Sequence, residues 1–214
     1  MLEGAMTGGR RAAWRDFIAA VRADHAALGD HDERYAGRRG RRSPSRDFVV
    51  RIGFQMMVAY RSMRLCAALG VPLAPRIISR LMRHLYGADI HWQAELEPGV
   101  TLVHGMGLCI SGSARVGAGA ILFQGVTLGE SIDPQTRLAG APRLGPDVHV
   151  GPGATLVGPI SVGAGSKIAA GCVVTRSIPA GSLVQSGPPM VSPRRAPGHE
   201  AFLRRARPRG RRVD

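Results

Sequence analysis

At 214 residues, with 44% apolar but only 5% aromatic side chains, the chain is long enough for one or two domains with a sizeable core. A net charge of +14 raises nucleic-acid binding, but residues 89–191 hold five basic and six acidic side chains, and much of the excess sits in Arg38-Arg39-Gly40-Arg41-Arg42 and between Arg194 and Arg212. Such a split disfavours a nucleic-acid-binding domain, while three cysteines without paired spacing (Cys66, Cys109, Cys172) and no signal-peptide pattern argue against a disulfide scaffold and for a cytoplasmic protein.

Residues 1–46 read as a basic segment with one helix, its apolar face marked by Trp14, Phe17, Ile18 and Val21, and with a charged Gly/Arg-rich connection over 29–46. Residues 47–88 read as a helical cap. Phe48 to Leu69 forms one helix, ended by Gly70 and Pro72. Pro75 opens another, with Ile77, Ile78, Leu81, Met82 and Leu85 on its apolar side and Gly87 as its stop. The apolar run from Phe48 to Ala59 is too short to span a membrane and contains Arg51. Residues 192–214 read as a basic, disordered tail that binds polyanions, if at all, without sequence preference.

Residues 89–191 repeat every six. Branched residues recur at Ile90, Leu96 and Leu102, then at Ile110, Val116, Leu122 and Leu128, then from Leu144 through Val150, Leu156, Val162 and Ile168 to Val174. Four residues after members of the last series come Val148, Ala154, Ile160, Ser166, Cys172 and Ile178. A six-residue period matches neither 3.6 nor 7, so it is not helical; a Gly/Ala-rich linker would not hold branched residues in register this long. It is the pattern of a parallel β-helix: the branched residue points inward, a neighbouring Gly or Ala turns the corner, and three hexads close one triangular coil. The narrow interior explains the scarcity of aromatics.

The beat fails twice. Leu102 to Ile110 is a step of eight, so two extra residues bulge from a corner carrying Val103-His104-Gly105-Met106-Gly107. A histidine there is placed for acid–base work; the bland alternative is an exposed histidine of no consequence. Leu128 to Leu144 is a step of sixteen, so Glu130 to Arg143 leave the prism as a loop, expected to face the histidine across a groove. Lys167 is the only lysine among 29 basic residues and sits at a corner, where an ammonium can meet a phosphate or simply be solvated.

Asp89-Ile90-His91, then His104-Gly105-Met106-Gly107, then Gln124-Gly125-Val126-Thr127-Leu128-Gly129 resemble the serine acetyltransferase family of hexapeptide-repeat acyltransferases. The resemblance spans about residues 47–190 and includes Gly53-Phe54 and Ala59-Tyr60-Arg61. It implies an all-β left-handed parallel β-helix preceded by a small α-helical domain, assembled as a homotrimer or dimer of trimers. Acetyl-CoA would lie between neighbouring prisms and donate acetyl to the hydroxyl of a small molecule, serine or serine-like. It implies His104 as general base with Asp89 orienting the imidazole, an oxyanion site near Gly129, a CoA contact at Lys167, and small corners at Gly151 and Ala170 along which the pantetheine runs. His91 reads as structural, and no metal is implied.

The departures concern the acceptor. Relatives that use serine carry Asp where Val103 stands, an Arg-His pair where Gly140 and Ala141 stand, and Glu where Gly112 stands; the acidic residue of their helical lead-in has no clear counterpart before Gly53. The charges with which those relatives clamp a zwitterion are therefore missing, and serine stays an acceptor only if Arg137, Arg143 or residues of the helical cap form a different clamp. The alternatives are an O- or N-acetyltransferase of a sugar, glycan or specialised metabolite, and a non-enzymatic scaffold or polyanion binder. A zinc carbonic anhydrase on the same scaffold needs three convergent histidines, and the coil offers only His91, His104 and His149 without a close pair.

Overall fold

A computed structural model describes residues 2–37, 43–133 and 136–187. The expected disordered tail (192–214) and the Arg38–Arg42 run lie outside these residues. Four helices precede the coil: α1 (Leu2–Ala36), α2 (Pro44–Val50), α3 (Ile52–Ala68) and α4 (Ala74–Tyr86). Among the described residues no helix is long and apolar enough to cross a membrane.

Helix α1 continues through residues 29–36 of the stretch expected to be a charged connection, and α2 takes up its last residues. Its buried stripe is Ala20, Asp24, Leu28 and Asp32, while Trp14 and Ile18 are exposed. Two aspartates can sit in that stripe because each meets an arginine of the next segment. Arg61 donates to both Asp24 oxygens, at 2.9 and 3.0 Å, and also to the Leu96 and Glu97 carbonyls. Arg51 pairs with Asp32. One buried guanidinium thus ties α1, α3 and the first coil together.

The single helix expected from Phe48 to Leu69 is broken. Arg51 adopts an extended backbone (φ −108, ψ 101) between α2 and α3, which turns its side chain to Asp32 and re-aims α3 onto the coil. In α4, Pro75 lies in the first turn and Gly87 caps the end in the left-handed conformation, as expected. Its apolar side is only partly used: Met82 is buried and Ile78 half-buried, but Ile77, Leu81 and Leu85 are exposed.

The coil is a parallel β-solenoid with three faces. The first comprises β1 (Asp89–Ile90), β4 (Cys109–Ile110), β7 (Thr127–Gly129), β12 (Thr155–Val157) and β15 (Val173–Val174). The second comprises β2 (Glu95–Leu96), β5 (Arg115–Val116), β10 (Arg143–Leu144) and β13 (Ser161–Val162), extended by a bridge to Ile178. The third comprises β3 (Thr101–Val103), β6 (Ile121–Phe123), β11 (His149–Val150), β14 (Lys167–Ile168) and β16 (Leu183–Val184). Every branched residue of the hexad series from Ile90 to Val174 is buried, and so are Val148, Ala154, Ile160, Ser166 and Cys172.

The second interruption is an antiparallel hairpin, not an irregular loop: β8 (Ser131–Ile132) pairs with β9 (Ala139–Gly140) before the chain rejoins the prism at β10.

Candidate active site

Chain order decides which residues share an edge. Segments that follow third-face strands turn onto the first face, so 103–108, Gln124-Gly125, Gly151–Gly153 and Ala169–Gly171 stack along one edge of the prism. Backbone hydrogen bonds join them rung to rung: Gly125 N to Met106 O, Gly153 N to Gln124 O and Gly171 N to Pro152 O, each 2.9 Å. The spacing is tight. A Cβ on Gly151 would lie 2.7 Å from the Ala170 nitrogen, and one on Gly125 would lie 3.5 Å from Gly153 Cα. Below the bulge this edge is a strip of mostly small residues, Gly125, Gly151, Gly153, Ala169, Ala170 and Gly171, flanked by exposed Lys167 on the third face.

His104 stands at the head of the same strip. Its φ is +63, in the left-handed region that non-glycine residues seldom adopt. The bulge is clamped from behind by close backbone approach: a Cβ on Gly105 would meet Met56 Sδ at 2.6 Å, and Gly53 lies against Leu102. The ring is exposed and opens onto a cavity of about 320 Å³ between α1, the α2–α3 junction and the bulge.

Asp89 is on the first face, and no hydrogen bond joins it to His104. Its Oδ1 faces Arg83 of α4 at 2.8 Å. Register places it beside Cys109, whose thiol is pushed up from its ordinary pKa by burial and then by the Asp89 charge, against a smaller opposing effect of Arg83. His91 accepts from the Gln93 N–H at 3.1 Å and stacks on Trp92. The absence of a side chain at Gly112 makes room for that ring, since a Cβ there would be 2.8 Å from His91 Nδ1.

Gly129 is not on the His104 strip. It ends β7, where first-face strands turn towards the second face, and the hairpin leaves from the same edge. Within the chain the hairpin and His104 therefore lie on opposite sides of the first face, which corrects the expectation that they meet across a groove. Gly140 packs on Pro159, and Ala141 is buried, so neither position has room for a long charged side chain.

His149 lies on the third face, paired in register with Lys167, and its Nδ1 is 2.8 Å from the Tyr35 hydroxyl of α1. Burial first, then the Lys167 charge, holds it below its ordinary 6.5. Sequence reasoning gave it no role; the contact depends on where the end of α1 lands. The histidines at 91, 104 and 149 sit at three separate places, and among the described residues no cluster of three potential metal ligands occurs.

Residues 141–176 match the family model described as bacterial transferase hexapeptide (six repeats). The chain is 38% identical over 132 residues to a serine acetyltransferase of Synechococcus elongatus, covering 62% of this chain and 53% of that protein. The β-helix is thus similar to the hexapeptide-repeat part of serine acetyltransferases. A serine acetyltransferase of Bacillus subtilis is 37% identical over 109 residues, covering 51% of this chain and 49% of that one. Thus the chain spans about half the length of these curated relatives. The fold resembles Neisseria gonorrhoeae serine acetyltransferase in complex with serine (TM-score 0.70, 25% identity, 86% of this chain and 72% of that one). It also resembles the Brucella abortus serine acetyltransferase in complex with coenzyme A (TM-score 0.70, 28% identity, 86% and 70%).

Proposed function

We propose that the protein is an acetyl-CoA-dependent O-acetyltransferase acting on the hydroxyl of a small-molecule acceptor, with His104 as general base. The observation that carries this reading is His104 itself, held at positive φ at the head of a strip of mostly small residues and facing a cavity. Backbone strain of this kind costs about 1–3 kcal/mol and persists where surrounding structure enforces it; here Gly53 and Gly105 do so.

Acetyl-CoA supplies the thioester carbonyl. His104 takes the acceptor's hydroxyl proton as the new C–O bond forms, then returns it to the thiolate as the C–S bond breaks. The strip of Gly151 and Ala170 suits a slender pantetheine arm, and Lys167 offers an ammonium to a phosphate beside it. Asp89 would orient the His104 imidazole only once its pair with Arg83 opens. Gly129, on the opposite edge, would supply an oxyanion donor to a neighbouring protomer. A site that uses both edges needs a second copy, which the proposed homotrimer would supply.

The test is thiol release from acetyl-CoA with a panel of hydroxyl and amine acceptors, serine included, run beside His104→Ala. A loss of about 10²–10⁴-fold is expected in the variant. Full activity in His104→Ala would overturn the mechanism, and a preference for amines would overturn O-transfer.

A further inference from the structure

The cavity beside His104 has the wrong lining for an amino acid. Its walls are Leu28, Val50, Ile52, Leu102, Val103 and Met106. Apart from His104, its polar side chains are His31 and Arg51, and both turn to one carboxylate: Arg51 pairs with Asp32, and His31 Nδ1 lies 3.4 Å from the same group. Asp32 is itself buried beneath them and is not part of the lining. Among the described residues, no carboxylate lines the cavity to receive an ammonium, and the Arg51 guanidinium is already paired with Asp32. Burying the charges of a zwitterion there would leave them uncompensated, at a cost of several kcal/mol.

A volume of about 320 Å³ falls within the range of small-molecule sites, which are mostly apolar with few polar groups that fix orientation. Among the described residues, the one polar side chain of the lining not spent on Asp32 is the His104 imidazole. Resting on the acyl-transfer reading above, we infer that the acceptor is a neutral alcohol with an apolar body: the hydroxyl meets His104 and the hydrocarbon fills the space against Val103, Val50 and Ile52. Val103 is then a specificity-determining residue, because it replaces charge with apolar surface next to the base.

The experiment measures acetyl transfer to straight-chain primary alcohols from ethanol to 1-hexanol and to serine, together with direct binding of 1-hexanol by ligand-observed NMR without acetyl-CoA. Each methylene buried should raise kcat/KM about fourfold until the cavity is full, and 1-hexanol should outcompete serine. Val103→Asp should cut kcat/KM for 1-hexanol at least about tenfold and move the preference towards serine. Turnover of serine with no rise along the alcohol series overturns the acceptor class and leaves acyl transfer standing. Saturable binding of 1-hexanol that Val103→Asp abolishes, with no turnover of any acceptor, supports the apolar site and overturns acyl transfer. Neither binding nor turnover of the alcohols overturns the inference outright.

Discussion

Gly53 and Gly9 both lie inside helices, so helix propensity alone predicts that alanine stabilises either position by up to about 1 kcal/mol. Their surroundings predict opposite signs. At Gly9 an added Cβ meets nothing within 4 Å. At Gly53 it would lie 1.9 Å from the Leu102 carbonyl oxygen, 2.8 Å from its carbon and 3.2 Å from its Cβ. The nearest two are backbone atoms of β3, which cannot rotate away, so α3 must back off by more than about 1 Å. Overpacking of this kind costs about 1–3 kcal/mol, or about 3–10 °C in Tm for a chain of this size. Thermal unfolding followed by circular dichroism should show Gly9→Ala at or slightly above the parent and Gly53→Ala well below it. The same shift loosens the clamp behind His104, so the thiol-release rate should fall with the stability. If Gly53→Ala unfolds at or above the temperature of Gly9→Ala, the close approach of α3 to the coil is wrong, and with it the account of how His104 is held.

Arg61→Met should destabilise by about 3–5 kcal/mol in urea unfolding, because buried Asp24 loses its cation; adding Asp24→Asn should recover part of the loss, and full additivity would contradict the pairing. His149 is held below its ordinary 6.5, so the unfolded chain binds its proton first as pH falls. Its contribution is complete above about 6.5 and is lost on acidification through that value towards the depressed one; Tm measured from pH 8 to 5 should fall less steeply in His149→Gln than in the parent. Asp89 raises the Cys109 pKa, so Asp89→Asn should speed alkylation of Cys109 at pH 7.5, read by peptide mass spectrometry, and an unchanged rate would remove Asp89 from its place beside the thiol.

The coil was legible because each hexad carries its own instruction. Leu144, Val150 and Leu156 are inward whatever the rest of the chain does, since the period itself sets the face. The two breaks were legible for the same reason: an extra two residues after Leu102 and ten after Leu128 have nowhere to go but outward. The helical lead-in was harder. Nothing local in Phe48–Leu69 marks Arg51 as a break; it becomes one because Asp32, nineteen residues earlier, offers a partner. Asp24 can be buried only because Arg61 is brought against it, and Ile77, Leu81 and Leu85 read as an apolar side because periodicity records a face but not whether anything covers it.

Periodicity and spacing by themselves determined the solenoid, the bulge that carries His104 and the excursion that carries Gly140, because short-range repetition specifies short-range geometry. Only the tertiary structure decided what surrounds those residues. It put Gly129 and His104 on different edges, gave Asp89 to Arg83, and closed an apolar cavity over the base from α1, the α2–α3 junction and the bulge. Those outcomes depend on contacts between segments tens of residues apart, and the burial and charge balance that choose an acceptor exist only once such segments have met.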